Sequence, residues 1–119
     1  MNVSQVKDIL DAQVLVGEDL LDETEVCSAC GCDLMSDVLA FVKDQGMLLT
    51  GLINPHVIRT AEMMDMHVIV FVRGKMPEDE IISFAKLKKM IILRTEYQLY
   101  TACGKLYTAG LGNKERQDG

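Results

Sequence analysis

The chain has 119 residues, 49% of them hydrophobic, and a formal net charge of −6. This length suits a single domain, and the absence of Trp beside three Phe and three Tyr predicts a core of Val, Ile, Leu and Met. The acidic balance argues against nucleic acid and against an anionic membrane surface as partners, because both are bound through clustered Lys and Arg.

The beginning of the chain carries no recognisable targeting signal. Residues 1–11 lack a basic stretch followed by an apolar one, and no apolar run approaches the ~18 residues of a membrane span. We therefore expect a cytoplasmic protein whose four Cys are reduced thiols.

The first quarter of the chain alternates between helical and strand patterns. Apolar residues recur at helical spacing over residues 3–10 and predict a helix with Ser4 as its N-cap. Residues 12–16 predict a strand. The acidic residues 18–25 predict a solvated connection, and residues 26–29 predict a short second strand.

The middle of the chain predicts a helix, a strand and a second helix. Asp33 is expected to cap the clearest helix, which ends at Gly46. The continuous apolar run 47–53 predicts a strand. Asn54 and Pro55 then predict a helix start, with Asn as cap and Pro in the first turn.

The last part of the chain predicts two strands, each followed by a helix. Residues 68–72 form the strongest strand pattern, and residues 77–89 predict a helix with acidic residues at its beginning and lysines at its end. Residues 90–93 predict a strand. Residues 96–109 predict a final helix that is interrupted at Gly104.

Strands that alternate with helices at this spacing predict a mostly parallel sheet. The fold class is therefore α/β, a single three-layer domain with helices on the faces of the sheet. We expect this domain over residues 1–111 and a polar tail over residues 112–119.

Ligands of such sheets bind beyond the carboxyl ends of the strands, at helix N-termini and near a reversal in strand order. The segments after the predicted strands offer hydroxyls, an amide, an imidazole, two Arg and free N–H groups, which suits an anionic or nucleotide-like ligand. The alternative interpretation is that they are ordinary caps and turn residues. The candidate ligand-binding residues are Asp33, Ser36, Thr50, Gly51, Asn54, His56, Arg73 and Arg94.

Residues 32–40, Cys-Asp-Leu-Met-Ser-Asp-Val-Leu-Ala, resemble the Asp-Leu-Leu/Met-Ser-Asp-Val signature of DRTGG domains. Residues 49–55 and 70–75 lie where that family has its next two strands and turns, so the resemblance covers almost the whole chain. The letters that name the family are absent, because residues 22–29 are Asp-Glu-Thr-Glu-Val-Cys-Ser-Ala. The chain thus resembles a divergent, stand-alone branch.

The resemblance implies a function. DRTGG domains accompany CBS domains in regulated pyrophosphatases, occur in phosphotransacetylases and are related to the N-terminal domain of HPr kinase. This implies a regulatory, self-associating domain that is not an enzyme. Together with the strand-end residues, it leads to the hypothesis of a module that binds a small ligand, such as an adenine nucleotide, or a partner protein. Small stand-alone members are encoded near iron hydrogenase genes in anaerobes, which implies a client enzyme of redox metabolism.

Cys27, Cys30 and Cys32 form a C-x2-C-x-C run that is open to three interpretations. The thiols can hold zinc or an iron–sulfur cluster, with a fourth ligand from Cys103, His56 or another subunit. They can act as redox thiols, because Cys32 lies near a predicted helix N-terminus. They can also serve as small packing residues. Taken alone, Cys103 is expected in the core.

Catalytic machinery is not evident from the sequence. Asp33 and Asp37 would share one helical face, either as ligands of a hard cation or as a cap and a solvated carboxylate. Ser36 has no His or Lys base nearby in the sequence, and neither a Walker A sequence nor a G-x-G-x-x-G fingerprint is present. We therefore expect a protein without enzymatic activity.

The methionines suggest an interface between two copies. Met63, Met64 and Met66, with Met35 and Met47, could line a dimer seam or belong to the core. Because a short chain with this much apolar surface commonly buries part of it by two-fold pairing, we expect a homodimer.

Overall fold

The structure, a computed structural model, describes residues 1–33 and 46–112. This part of the chain contains five strands and four α-helices. The strands are β1 (Gln13–Val16), β2 (Ser28–Gly31), β3 (Gly46–Thr50), β4 (Val68–Phe71) and β5 (Ile91–Arg94). The helices are α1 (Val3–Leu10), α2 (Pro55–Met63), α3 (Asp79–Leu87) and α4 (Leu99–Thr108). No helix among them combines the length and apolar character needed to cross a membrane.

The strands form one sheet in the order β1-β5-β4-β3-β2. Strands β2 to β5 are parallel and each pairs with the next along the chain, whereas β1 runs antiparallel to β5. The carboxyl ends of β2 to β5 therefore lie along one edge, which we call the carboxyl edge. Because β2 to β5 follow one another without a reversal, the expected switch point is missing from them, and a ligand site at the carboxyl edge would be built by the loops that follow these strands.

In the described part of the chain, two helices cover each face of the sheet. On the central strand β4, Val68 and Val70 belong to the core cluster that includes residues of α1 and α4. Ile69 and Phe71 belong to the cluster that includes residues of α2 and α3. Since alternate residues of a strand point to opposite faces, the continuous apolar strands arise from burial on both sides. The predicted three-layer α/β fold is confirmed.

Helix α1 begins at Val3, and its cap is Asn2 instead of the predicted Ser4. The Asn2 side chain accepts a hydrogen bond from the backbone N–H of Gln5 at 2.9 Å, and the Gln5 side chain accepts one from the N–H of Asn2 at 2.9 Å. This reciprocal pair is a capping box. The prediction of Ser4 was wrong because the fully buried Val3 is already the first helical residue.

Strand β2 lies two residues beyond its predicted position at 26–29. Its register with β3 pairs Ser28 with Gly46 and Gly31 with Leu49. Cys30 therefore belongs to the strand itself and not to a turn after it. The predicted helix after Asp33 lies outside the described residues, as do residues 113–119 of the predicted tail.

The last helix differs from its prediction in two respects. It begins at Leu99 instead of residue 96, and it continues through Gly104 without interruption. The preceding residues 95–98 form the connection from β5. A single glycine weakens a helix but does not break it when tertiary packing holds both flanks, as Ala102 and Leu106 do here from the core.

Replacement of Gly104 by Ala should raise the free energy of unfolding by about 0.5–1 kcal/mol, because alanine restricts the unfolded chain and favours the helix. A Cβ at this position would have nothing within 4 Å. Urea denaturation of the variant tests this. Gly17→Ala is the matched contrast. Gly17 has a φ of 89°, and an added Cβ would lie 3.0 Å from the carbonyl oxygen of Met90. The free energy of unfolding of this variant should therefore fall. A stability loss at Gly104 would contradict the continuous helix.

Candidate functional site

The carboxylate of Asp33 is held at the end of β3. Its Oδ1 accepts hydrogen bonds from the hydroxyl of Thr50 at 2.9 Å and from the backbone N–H of Gly51 at 2.8 Å. Thr50 is fully buried, and its hydroxyl oxygen also accepts a hydrogen bond from the N–H of Leu52 at 3.1 Å. The Thr50 hydroxyl thus donates one hydrogen bond and accepts another, and these two bonds position Asp33 and the loop that follows β3. Asp33 itself is exposed.

The guanidinium of Arg73 lies over Gly51. A Cβ placed on Gly51 would be 2.5 Å from Nη2 of Arg73, so the guanidinium occupies the space that any other residue would fill. Arg73 is exposed, and its side chain forms no hydrogen bond or ion pair with any residue of 1–33 or 46–112. Within the described part of the chain, the carboxyl edge thus presents a cation that no carboxylate neutralises.

The turn that carries Arg73 has an unusual backbone. Arg73 and Gly74 have φ values of 59° and 65°, and the left-handed conformation costs a non-glycine residue about 1–2 kcal/mol. The turn is held by the N–H of Arg73, which donates to the carbonyl of Tyr97 at 2.8 Å, and by the N–H of Gly74, which donates to the carbonyl of Thr95 at 2.8 Å. Because both N–H groups are bonded, the turn can contact an anion only through its side chains.

Arg94 binds protein groups on three sides. Its Nε donates to the carbonyl of Gly74 at 3.0 Å and its Nη1 donates to Oε1 of Gln13 at 3.1 Å. Its Nη2 lies 3.5 Å from Oε1 of Glu96, and the side chain is 27% exposed. Arg94 therefore joins β1 and the loop after β5 to the turn of Arg73. Its contact with Gln13 spans 81 positions in the chain, which no local pattern could reveal.

The start of α2 is as predicted. The Asn54 side chain accepts a hydrogen bond from the N–H of Val57 at 3.3 Å, and Pro55 occupies the first turn. His56 is exposed in that first turn. Ser36 and Asp37 lie outside the described residues. The structure thus brings Asp33, Thr50, Gly51 and Arg73 together, with Arg94 behind them as a support.

The cysteines are divided between the two faces of the sheet. Cys30 and Cys32 pack against the cluster that includes residues of α2 and α3, and Cys27 is exposed. Cys103 packs in the other cluster, where a Cβ on Gly31 would collide with its sulfur. Burial raises the pKa of the Cys103 thiol. Within residues 1–33 and 46–112, no group of three His, Cys, Asp or Glu side chains has the arrangement of a metal site.

The methionines are divided between core and surface. Met47 and Met66 are fully buried, so for them the core interpretation is confirmed. Met64 is partly buried and Met63 is 72% exposed, at the end of α2. Met35 lies outside the described residues.

A groove of about 1280 Å³ lies between β2 and α4. Its lining includes Gly31, Cys103 and Tyr100, and Tyr100 is 89% exposed. None of the four grouped residues at the carboxyl edge lines this groove. No pattern in the sequence indicates this groove, because it depends on how α4 lies beside the edge strand β2.

No protein-family model and no curated protein matches the chain. Among solved structures, the fold is similar to the CBS and DRTGG domains of the regulatory region of a Clostridium perfringens pyrophosphatase, complexed with its activator diadenosine tetraphosphate. The TM-score is 0.72 at 16% sequence identity, over 88% of this chain and 45% of that one. This chain therefore spans less than half of the matched structure. The likeness supports a DRTGG-like fold, which residues 32–40 suggested.

Replacement of Arg94 by Ala should lower the free energy of unfolding by about 1–3 kcal/mol, because it leaves the Gly74 carbonyl and Gln13 without their charged donor. Urea denaturation measures the loss. Arg59→Ala is the control, since Arg59 and Glu80 form an exposed ion pair at 3.7 Å whose loss should cost well under about 1 kcal/mol. Equal losses in the two variants would contradict the supporting role of Arg94.

Cys103 should react with iodoacetamide more slowly than Cys27 at pH 8 in the folded protein. The thiolate is the reactive form, and burial both raises the pKa of Cys103 and restricts access to its sulfur. Mass spectrometry of timed samples gives the two rates. In urea the rates should converge. A faster reaction at Cys103 would contradict the packing of its sulfur against Gly31.

Proposed function

We propose that the chain is a non-catalytic regulatory module that binds an anionic, nucleotide-like ligand at the carboxyl edge. An adenine nucleotide is the first candidate. The observation that carries this proposal is Arg73, an exposed guanidinium placed over Gly51 without an ion-pair partner among the described residues. Because the chain has a net charge of −6, its overall field repels anions, and an anionic ligand therefore needs a local cation such as this one.

The surroundings of Arg73 favour binding of a phosphate group. The turn of Arg73 and Gly74 is held by two hydrogen bonds of 2.8 Å, one from each backbone N–H, so the backbone needs little additional ordering when a ligand binds. Helix α2 begins at Pro55, directly after residues 51–54, and Gly51 of that segment lies under the guanidinium. The positive N-terminal end of this helix favours anions. A guanidinium binds phosphate oxygens through two parallel N–H groups. Together these features give the edge the chemistry of a phosphate site.

The comparison with the pyrophosphatase supports a regulatory role. That protein's CBS and DRTGG domains form a regulatory region, and its activator is an adenine nucleotide. By analogy, this module would change the state of an associated protein when its ligand binds. Within the same proposal, the domain acts as a homodimer beside a client enzyme of redox metabolism.

A binding role is better supported than catalysis or metal chemistry. The Thr50 hydroxyl at the edge donates to Asp33 and accepts from Leu52, so it is not poised as a nucleophile. The alternative is a metal or redox protein that uses Cys27, Cys30 and Cys32. For a metal site of this kind Cys103 is not at hand as the fourth ligand, because it lies across the sheet from Cys30 and Cys32.

Thermal denaturation with AMP, ADP and ATP tests the proposal. A ligand at a hundredfold excess over its dissociation constant should stabilise the fold by about 2.7 kcal/mol. Arg73→Ala should weaken binding about tenfold or more, because a charge-assisted hydrogen bond is lost. Gly51→Ala should also weaken it, since the new Cβ displaces the guanidinium, while stability changes little because only the tip of a flexible side chain moves.

Arg59→Ala is the control for the loss of one surface charge, since Arg59 lies on α2 in an ion pair with Glu80. It should bind the nucleotide like the unaltered protein. The absence of any shift at millimolar nucleotide would contradict the proposal, and so would unaltered binding by Arg73→Ala.

A further inference from the structure

Two opposite charges flank Gly51 at the carboxyl edge. The Asp33 carboxylate binds the N–H of Gly51, and the Arg73 guanidinium covers the position of its missing Cβ. Both groups therefore lie beside the same residue, yet they form no ion pair with each other. A single small ligand can therefore contact both.

We infer that this pair selects ligands that carry a neutral hydrogen-bond donor beside an anionic group. Arg73 binds the anionic group, and Oδ2 of Asp33 accepts a hydrogen bond from a hydroxyl or an exocyclic amine of the same ligand. The site would therefore take a nucleoside phosphate in preference to inorganic phosphate or pyrophosphate. This inference rests on the proposed function and names the class of ligand.

The orientation of Asp33 makes it a selective acceptor. Thr50 and Gly51 both donate to Oδ1, so that oxygen is fixed by the buried end of β3. Oδ2 accepts no hydrogen bond from any residue in 1–33 or 46–112. Because an ionised carboxylate can only accept hydrogen bonds, the group that meets Oδ2 must be a donor.

The charge of Asp33 also explains why a simple anion is disfavoured. A carboxylate close to a bound phosphate repels it, because like charges repel each other even at the dielectric constant of water. A donor on the ligand turns the same carboxylate into a favourable contact. Asp33 thus raises the affinity for a nucleoside phosphate and lowers the affinity for pyrophosphate.

Asp33→Asn separates these two effects. Because Thr50 and Gly51 both donate, the amide oxygen must take the place of Oδ1, and the amide NH₂ then takes the place of Oδ2. The substitution replaces an acceptor by a donor and removes one negative charge, while the contacts with β3 are kept. Isothermal titration with AMP and with pyrophosphate should therefore give changes in opposite directions.

We expect Asp33→Asn to bind AMP about tenfold or more weakly than the unaltered protein. It should bind pyrophosphate about threefold or more tightly, because the repulsion is gone. Titration of the unaltered protein with IMP, which lacks the exocyclic amine, and with 2′,3′-dideoxyadenosine monophosphate, which lacks the hydroxyls, identifies the donor. One of these two compounds should bind the unaltered protein more weakly than AMP does, by the same factor by which Asp33→Asn weakens AMP binding.

Three results would overturn the inference while leaving the proposed function in place, provided that AMP binding still depends on Arg73. The first is equal weakening of AMP and pyrophosphate binding by Asp33→Asn, which would indicate a structural role of Asp33. The second is unaltered AMP binding by that variant. The third is binding of both AMP analogues to the unaltered protein with the full affinity of AMP. If the unaltered protein binds neither AMP nor pyrophosphate, the inference and the proposed function both fail.

Discussion

The rest of this structure depends on one constraint. The parallel strands follow one another across the sheet in a single direction, and both faces of the sheet must be buried. Strands β3 and β4 are buried along their whole length, so each face needs a cover of helices. The connections between β3, β4 and β5 place α2 and α3 on one face. The other face is therefore covered by helices from near the two ends of the described chain, α1 and α4.

This arrangement links distant parts of the chain at the carboxyl edge. The hydroxyl of Thr95, at the end of β5, donates to the carbonyl of Leu10 at 2.7 Å and so connects the sheet to the end of α1. Arg94 extends the same connection to β1 and to the turn of Arg73. The turn that carries the exposed cation is thus bonded to residues 94–97, which are themselves bonded to the end of α1 and to β1. This network fixes the backbone from which the side chain of Arg73 meets a ligand.

The polar groups at this edge divide into supporting and accessible ones. Thr50 and Thr95 are both buried threonines directly at strand ends, and each uses its hydroxyl to donate to a distant oxygen and to accept from an N–H two residues on. Asp33 and Arg73 remain exposed. Residue type alone could not separate these roles, because a strand-end threonine and a strand-end ligand residue look alike in a sequence.

The sequence by itself determined the fold class and most of the elements, because apolar periodicity and caps such as Asn54 act over a few residues. It also placed Gly51 and Arg73 at strand ends, which a parallel sheet gathers along one edge. Only the tertiary structure decided that Arg73 lies over Gly51, that Arg94 binds Gln13 and that Cys103 packs against Gly31. These contacts join residues far apart in the chain, and they depend on strand register and side-chain direction, which no local pattern encodes.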